Sequence, residues 1–198
     1  MLTRSSKELC VMDQIRVINW MRIIRPPTKA NLNLDVLHRI LGGKLYPGRP
    51  QMLMIRMGND RNLQLFRGGT TQILGRVSLR EAQAMRRELV YHLPKTNEDC
   101  HHLRKILLTT PMRISNMVIH AHLKMEKSLT EIAHSNENLS YDLELFPAAL
   151  IRAWKPAHVA VFENGRVIIT GLKSVSSCHK LLISLQAFLN RYHPSDLY

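Results

Sequence analysis

The sequence predicts an α+β fold built from two pseudo-symmetric repeats, each an antiparallel sheet with its helices on one face. Three observations carry this. The chain matches itself at a fixed offset, strand-like and helix-like patterns recur in the same order, and a capping box marks a helix start in each half. Shifting the 198-residue chain by 96 positions places Ile55-Arg56 on Ile151-Arg152, Phe66 on Phe162, Gly69 on Gly165 and Ile73 on Ile169. The same shift places Gly75 on Gly171, Ser78 on Ser174, Leu89 on Leu185 and Leu93 on Leu189. Self-similarity at one period is the mark of a duplicated structural unit. A shift of 97 brings Ile18-Asn19 onto Ser115-Asn116. The predicted division is an N-terminal extension over residues 1–12, a first repeat over 13–95, a connector over 96–103 and a second repeat over 104–198. The connector lies in the polar run Pro94–His102.

Each repeat opens with a strand, Arg16–Ile24 in the first and Arg113–Leu123 in the second, rich in β-branched residues and Met. A short helix follows. Asn33 is its N-cap in the first repeat and Gly42-Gly43 its stop, because the Asn oxygen takes an orphan N–H and Gly tolerates a left-handed exit. In the second repeat Ser128-Leu-Thr-Glu131 has capping-box spacing. Apolar runs broken by turns come next. Met52–Met57 meets Gly58-Asn59-Asp60 and Leu63–Phe66 meets Gly68-Gly69; Leu150–Trp154 meets Lys155-Pro156 and His158–Phe162 meets Asn164-Gly165. Asn-Gly is a strong hairpin signal, since both residues accept positive φ. A longer helix closes each repeat. Ser78-Leu-Arg-Glu81 starts one, with the stripe Leu79, Ala82, Met85, Leu89 and Leu93. The other carries Val175, Cys178, Leu181, Leu182, Leu185, Leu189 and Tyr192. Helices on one side of an antiparallel sheet leave the other side bare.

Charge says what such a bare face meets. Lys and Arg number 28 against 15 Asp and Glu, a net charge of +13 with a pI near 10.2. Polyanions are the natural partners of so basic a chain. No run approaches the length of a membrane span, and Met1–Cys10 lacks the apolar core of a secretory signal, so no membrane partner is expected. Three widely spaced cysteines, Cys10, Cys100 and Cys178, argue for a reducing compartment and against a disulfide framework. His101-His102 and His120-x-His122 lack the further ligands that a zinc site needs. No nucleophile–base grouping, phosphate-binding glycine loop or carboxylate pair stands out, so the chain reads as a binding protein with no cofactor and no enzymatic activity.

Alternation then selects the side chains on the bare face. Asn19 shares it with Met21, Ile23 and Arg25, and Asn116 with Val118, His120 and His122. Thr70, Gln72 and Leu74 follow in the first repeat; Arg166, Ile168 and Thr170 follow in the second. A largely apolar surface with isolated amides and hydroxyls, rimmed by Lys and Arg, suits the floor of a DNA minor groove, which offers mainly acceptors at A·T pairs. Trp20 and Trp154 read as packing residues.

The stretch Tyr141-Asp-Leu-Glu-Leu-Phe-Pro147, with Ile151-Arg152, Lys155-Pro156, Phe162, Gly165 and Thr170-Gly-Leu-Lys173, resembles the second repeat of the TATA-binding-protein family. Ile114-Ser-Asn-Met-Val118 resembles that repeat's opening strand. Asn19, Tyr46-Pro47, Met54-Ile-Arg-Met57, Phe66, Gly69 and Gly75 resemble the first repeat more faintly. The likeness runs from about Ile15 to Tyr192. It implies a saddle: a curved ten-stranded antiparallel sheet with helices on its convex face and DNA on its underside. It also implies two wedge phenylalanines per repeat. Phe146, followed by Pro147, and Phe162 fill both positions in the second repeat; Phe66 fills one in the first, where Pro50 holds the other.

By the same resemblance Asn19, Asn116 and Thr170 hydrogen-bond the groove, with Leu74 as the first-repeat counterpart of Thr170. Val118 and Ile168 make apolar contacts, with Met21 and Gln72 as counterparts. Arg56, Arg152, Arg166 and Lys173 reach phosphates. In the first repeat Thr70 and Val77 stand where basic residues are expected, with Arg76 beside them. Asp142, Glu144 and Leu145 correspond to the family's surface for transcription factor IIB.

The implied partners are A/T-rich promoter DNA, a factor-IIB-like protein, a factor-IIA-like protein and the RNA polymerase machinery. The implied location is the nucleus, or the site of viral transcription for a viral member. The alternative is a protein that keeps the saddle, has lost specific TATA binding, and acts by binding transcription factors.

Overall fold

The strands hide alternate side chains and leave the others half-exposed, and the helices account for the hidden set. The computed structural model describes residues 15–58, 60–134 and 139–191. It divides into two units: Asn19–Ser115, and the chain from Asn116 onward together with its start up to Ile18. The extension over residues 1–12, Cys10 and Tyr192 lie outside the described residues.

The first unit contains β1 (Arg16–Ile24, which begins just before it), α1 (Leu34–Leu41), β2 (Lys44–Tyr46), β3 (Met52–Arg56), β4 (Asn62–Phe66), β5 (Thr71–Gly75), α2 (Leu79–His92) and α3 (Glu98–Thr109). Its strands lie antiparallel in the order β2-β3-β4-β5-β1. Period-two burial puts Leu53, Ile55, Leu63, Leu65 and Ile73 under the helices, in one cluster with Leu34, Leu37, Met85, Leu89, Leu103 and Leu107. Burying a leucine contributes about 1.5–3 kcal/mol, so this shared layer outweighs any single polar contact.

The second unit holds β6 (Met112–His122, most of it), α4 (Leu129–His134), β7 (Leu139–Ser140), β8 (Ala148–Ile151), β9 (His158–Phe162), β10 (Arg166–Leu172) and α5 (Val175–Arg191). The order β6-β10-β9-β8-β7 mirrors that of the first unit. Val159, Val161, Val167, Ile169, Ile119 and Ala149 are buried, as are Cys178, Leu182, Leu185 and Leu189 of α5. Trp154 packs edge-on against Phe188, 5.4 Å between centroids.

The caps form as the sequence predicts. Asn33 Oδ1 accepts from the Asp35 and Val36 N–H groups. Ser78 and Glu81 close a reciprocal capping box, and Glu81 is also paired with Arg61. The Ser78 hydrogen bonds, more than Arg61, hold the Glu81 carboxyl below its ordinary range. A carboxylate lowered on folding stabilises the fold above its unfolded value and loses that contribution as pH falls through the lowered one. Ser128 and Glu131 exchange the same pair of bonds in the second unit.

Two features differ from the sequence reading. The run assigned to a connector, residues 96–103, largely forms the first half of α3. Asn97 caps this helix by accepting from the Cys100 N–H, and Cys100, Leu103 and Leu107 are buried in the first unit's core. Asp99 accepts from the Asn33 N–H, which ties α3 to the start of α1. The polar residues misled because they face water; the burying stripe has only three members. In α2, Leu79 is 51% exposed and lies off the apolar stripe, where Val90 is buried instead.

If α3 is an integral layer, Leu103→Ala should destabilise the protein by about 2–5 kcal/mol in urea unfolding. A loose connector would give a change near zero.

Candidate nucleic-acid interface

The strand residues turned away from the helices form one open face on each unit. In the first unit two rows cross the sheet in register: Met54–Gln64–Gln72–Ile23, and Arg56–Asn62–Leu74–Met21. Met52 and Phe66 pair beside them. Apart from exposed Arg56, all of these side chains are half-exposed. In the second unit the row Leu150–Ala160–Ile168–His120 answers the first of these, and Thr170 pairs with His158. Among the described residues of these strands the buried set is the alternate one.

Asn19 and Asn116 stand on this face with one structural task in common. Asn19 Oδ1 accepts from the Gly75 N–H at 2.9 Å, and Asn116 Oδ1 from the Gly171 N–H at 2.7 Å. A backbone N–H can only donate, so it fixes the oxygen inward and leaves the amide NH2 as the outward group. Both glycines have positive φ, +127° and +89°, and a Cβ on either would collide with a backbone carbonyl, of Asp60 or of Pro156. In the second unit the β6–β10 register shifts between Ile169 and Leu172, which frees the Gly171 N–H from the ladder for Asn116. Each unit thus presents one oriented donor pair amid apolar side chains, the complement of a groove floor that carries acceptors.

The phenylalanines sit at matching hairpin corners. The Gly69 N–H donates to the Phe66 carbonyl and the Gly165 N–H to the Phe162 carbonyl, both at 2.8 Å. Phe66 and Phe162 are half-exposed, and Phe146 is 45% exposed. The Phe146 and Phe162 rings lie 6.4 Å apart, and the Arg166 guanidinium sits 3.9 Å over the Phe162 ring. Among the described residues the first unit shows no such cluster: Pro50 is exposed and Thr70 stands at the position of the arginine.

The cations stand around these faces. Arg56, Arg152, Arg166, Lys173 and Arg76 are exposed, whereas Val77 is buried in the core. Asp142, Glu144, Leu145 and Pro147 are exposed too. Asp142 organises their turn: its carbonyl accepts from the Phe146 and Leu145 N–H groups, and its carboxylate from the Glu144 N–H. Leu145 is 83% and Leu143 64% exposed. Met54, Asn62, Gln64, Leu150, His158 and Ala160 belong to the open faces but were not anticipated. The signal was the same alternation, run backward along β4 and β9 from Phe66 and Phe162.

Among the described residues no group of three His, Cys, Asp or Glu could hold a metal ion, and no helix is long and apolar enough to cross a membrane.

The family model "Transcription factor TFIID (or TATA-binding protein, TBP)" matches residues 111–192. The TATA-box-binding protein of Methanocaldococcus jannaschii is 28% identical over 172 residues, covering 85% of this chain and 90% of that protein. That of Methanothermococcus thermolithotrophicus is 25% identical, covering 91% and 98%. TATA-box-binding protein 3 of Methanosarcina mazei is 37% identical over 79 residues, 38% of this chain and 43% of that protein. The solved structure of Methanococcus jannaschii TBP superposes with a TM-score of 0.69 at 26% identity, over 90% of this chain and 99% of that one. That match gives the fold class as α+β, antiparallel strands in the order β2-β3-β4-β5-β1 and β6-β10-β9-β8-β7 with helices. Likeness in sequence over 85% of the chain and in structure over 90% of it supports the chain as a member of the TATA-binding-protein family.

Proposed function

We propose that this protein is a transcription initiation factor that binds promoter DNA in the minor groove, bends it by phenylalanine insertion and docks a factor-IIB-like protein. The observation that carries this reading is the pair of oriented amides, Asn19 and Asn116, each on a half-exposed, largely apolar face whose far end carries a hairpin-corner phenylalanine. A charged, phosphate-only surface would not need an apolar floor, and a core sheet would not leave it uncovered. Ile168, Val118, Thr170, Met21, Gln72 and Leu74 lie against the groove floor in this reading. Arg56, Arg152, Arg166 and Lys173 neutralise phosphates along its edges.

Phe66, Phe146 and Phe162 are the wedges, with Pro147 beside Phe146. Inserting an apolar side chain between base steps unstacks them and kinks the duplex. The turn holding Asp142, Glu144 and Leu145 offers two carboxylates and bare leucines, which suits a basic partner with an apolar pocket. A factor-IIA-like protein and RNA polymerase complete the assembly, in the nucleus or at a site of viral transcription.

Mobility shifts with A/T-rich duplexes test the central reading. A shift that weakens steeply as salt rises, through counterion release, is expected. Absence of any shift at low salt would favour the rival, a saddle that binds transcription factors alone; Pro50 in a wedge position is the feature that speaks for it. Phe162→Ala should reduce the bend seen by circular permutation while leaving the melting temperature within a few degrees. An equal thermal collapse would make the ring a packing residue. Glu144→Arg should abolish capture of the factor-IIB-like partner in a pull-down and leave DNA binding unchanged; undiminished capture would remove this turn from the docking surface.

A further inference from the structure

Gln64 on β4 and Gln72 on β5 are direct cross-strand partners on the first unit's open face, and both are half-exposed. Side chains so placed have Cβ atoms about 4.5–5.5 Å apart, within reach of one another. Neither amide has a hydrogen-bond partner among the described residues. The equivalent positions 96 residues later are Ala160 and Ile168, also direct partners and also half-exposed. Two adjacent positions in one row therefore carry amides in one unit and hydrocarbon in the other, while the flanking Met54 and Leu150 stay apolar.

That contrast has a chemical meaning in a minor groove. Adenine and thymine show only acceptors there, whereas a G·C pair adds the guanine N2 amino donor at the groove centre. Against Ala160 and Ile168 this amino group would be desolvated with nothing to receive it, a cost that excludes G·C pairs. An amide offers a carbonyl to accept from the amino group and an NH2 to donate to the neighbouring N3 or O2. Two amides side by side can divide those tasks over one base pair.

We infer that the Gln64–Gln72 pair reads a G·C base pair through its minor-groove edge, so that the first unit takes a G·C-containing half-site and the second an A·T one. This rests on the minor-groove reading above. It makes the preferred site asymmetric in sequence and fixes the direction in which the protein sits on it.

Competition mobility shifts with three duplexes test this. One has A/T pairs in both halves, one has a G·C pair in one half, and the third replaces that guanine by inosine, which lacks only the minor-groove amino group. The wild-type protein should bind the guanine duplex about three- to tenfold more tightly than the inosine duplex, the span of one net hydrogen bond. Gln64→Ala/Gln72→Ile, which installs the second unit's residues, should lose or reverse that preference. Equal binding of guanine and inosine duplexes, tightest binding to the all-A/T duplex, or a guanine preference kept by the variant would overturn the inference and leave groove binding standing. The inosine comparison uses the wild-type chain, so it decides the matter even if the variant fails to fold. Failure of all three duplexes to shift at low salt would overturn the minor-groove reading itself, and this inference with it.

Discussion

One-sided burial is the constraint on which the rest of each unit depends. A strand alternates its side chains, so once helices cover one set the other has nowhere to go but outward. Leu53, Leu63, Leu65 and Ile73 meet the helices in the first unit, and Val159, Val161, Val167 and Ile169 are their counterparts in the second. The partners of these residues along each strand are then free to serve recognition. The apolar character of those partners is affordable only because the sheet stays half-exposed without forming a second core.

The Asn–Gly pairs convert that passive surface into a directed one. A lone Asn on an exposed strand can turn either end outward. Binding its oxygen to a backbone N–H removes the choice, and a positive-φ glycine is what brings that N–H into reach. The same device stands in both units, yet its surroundings differ. The second unit carries it on the same face as Val118 and Ile168, with the Phe146–Phe162–Arg166 stack at the far end of the strands. The first carries it on a face whose successive rows add Asn62 and Leu74 and then Gln64 and Gln72, with Phe66 as the one ring at the far corner. A duplicated scaffold has kept its geometry while its two faces have taken different chemistry.

Much of this was legible beforehand because the signals were periodic. The limits of β1, the Asn33 cap, both capping boxes and the hairpin corners follow from alternation, cap chemistry and glycine placement. The motif between Tyr141 and Lys173 placed the exposed phenylalanines and the acidic turn. Helix α3 was missed for a physical reason: Asn97, Glu98, Asp99, His101 and His102 present polarity at every position but one in its first turn and a half. The burying positions Cys100, Leu103 and Leu107 form a stripe too narrow to announce a helix. The edge strands β2 and β7, three and two residues long, carry too few side chains to show a period. The amides at Gln64 and Asn62 needed the register of β4 against β3 and β5, which pairing alone reveals.

Gln64 and Gln72 lie on the half-exposed side of their strands, opposite the buried Leu63, Leu65, Thr71 and Ile73, so exchanging them leaves the hydrophobic layer beneath untouched. Surface substitutions of this kind usually move stability by no more than about 0.5 kcal/mol. The row is in effect a keyboard mounted on a rigid frame: its letters can be retyped by a few codon changes without refolding the instrument. A lineage carrying such a frame can drift toward new target sequences one residue at a time, each intermediate remaining a stable protein.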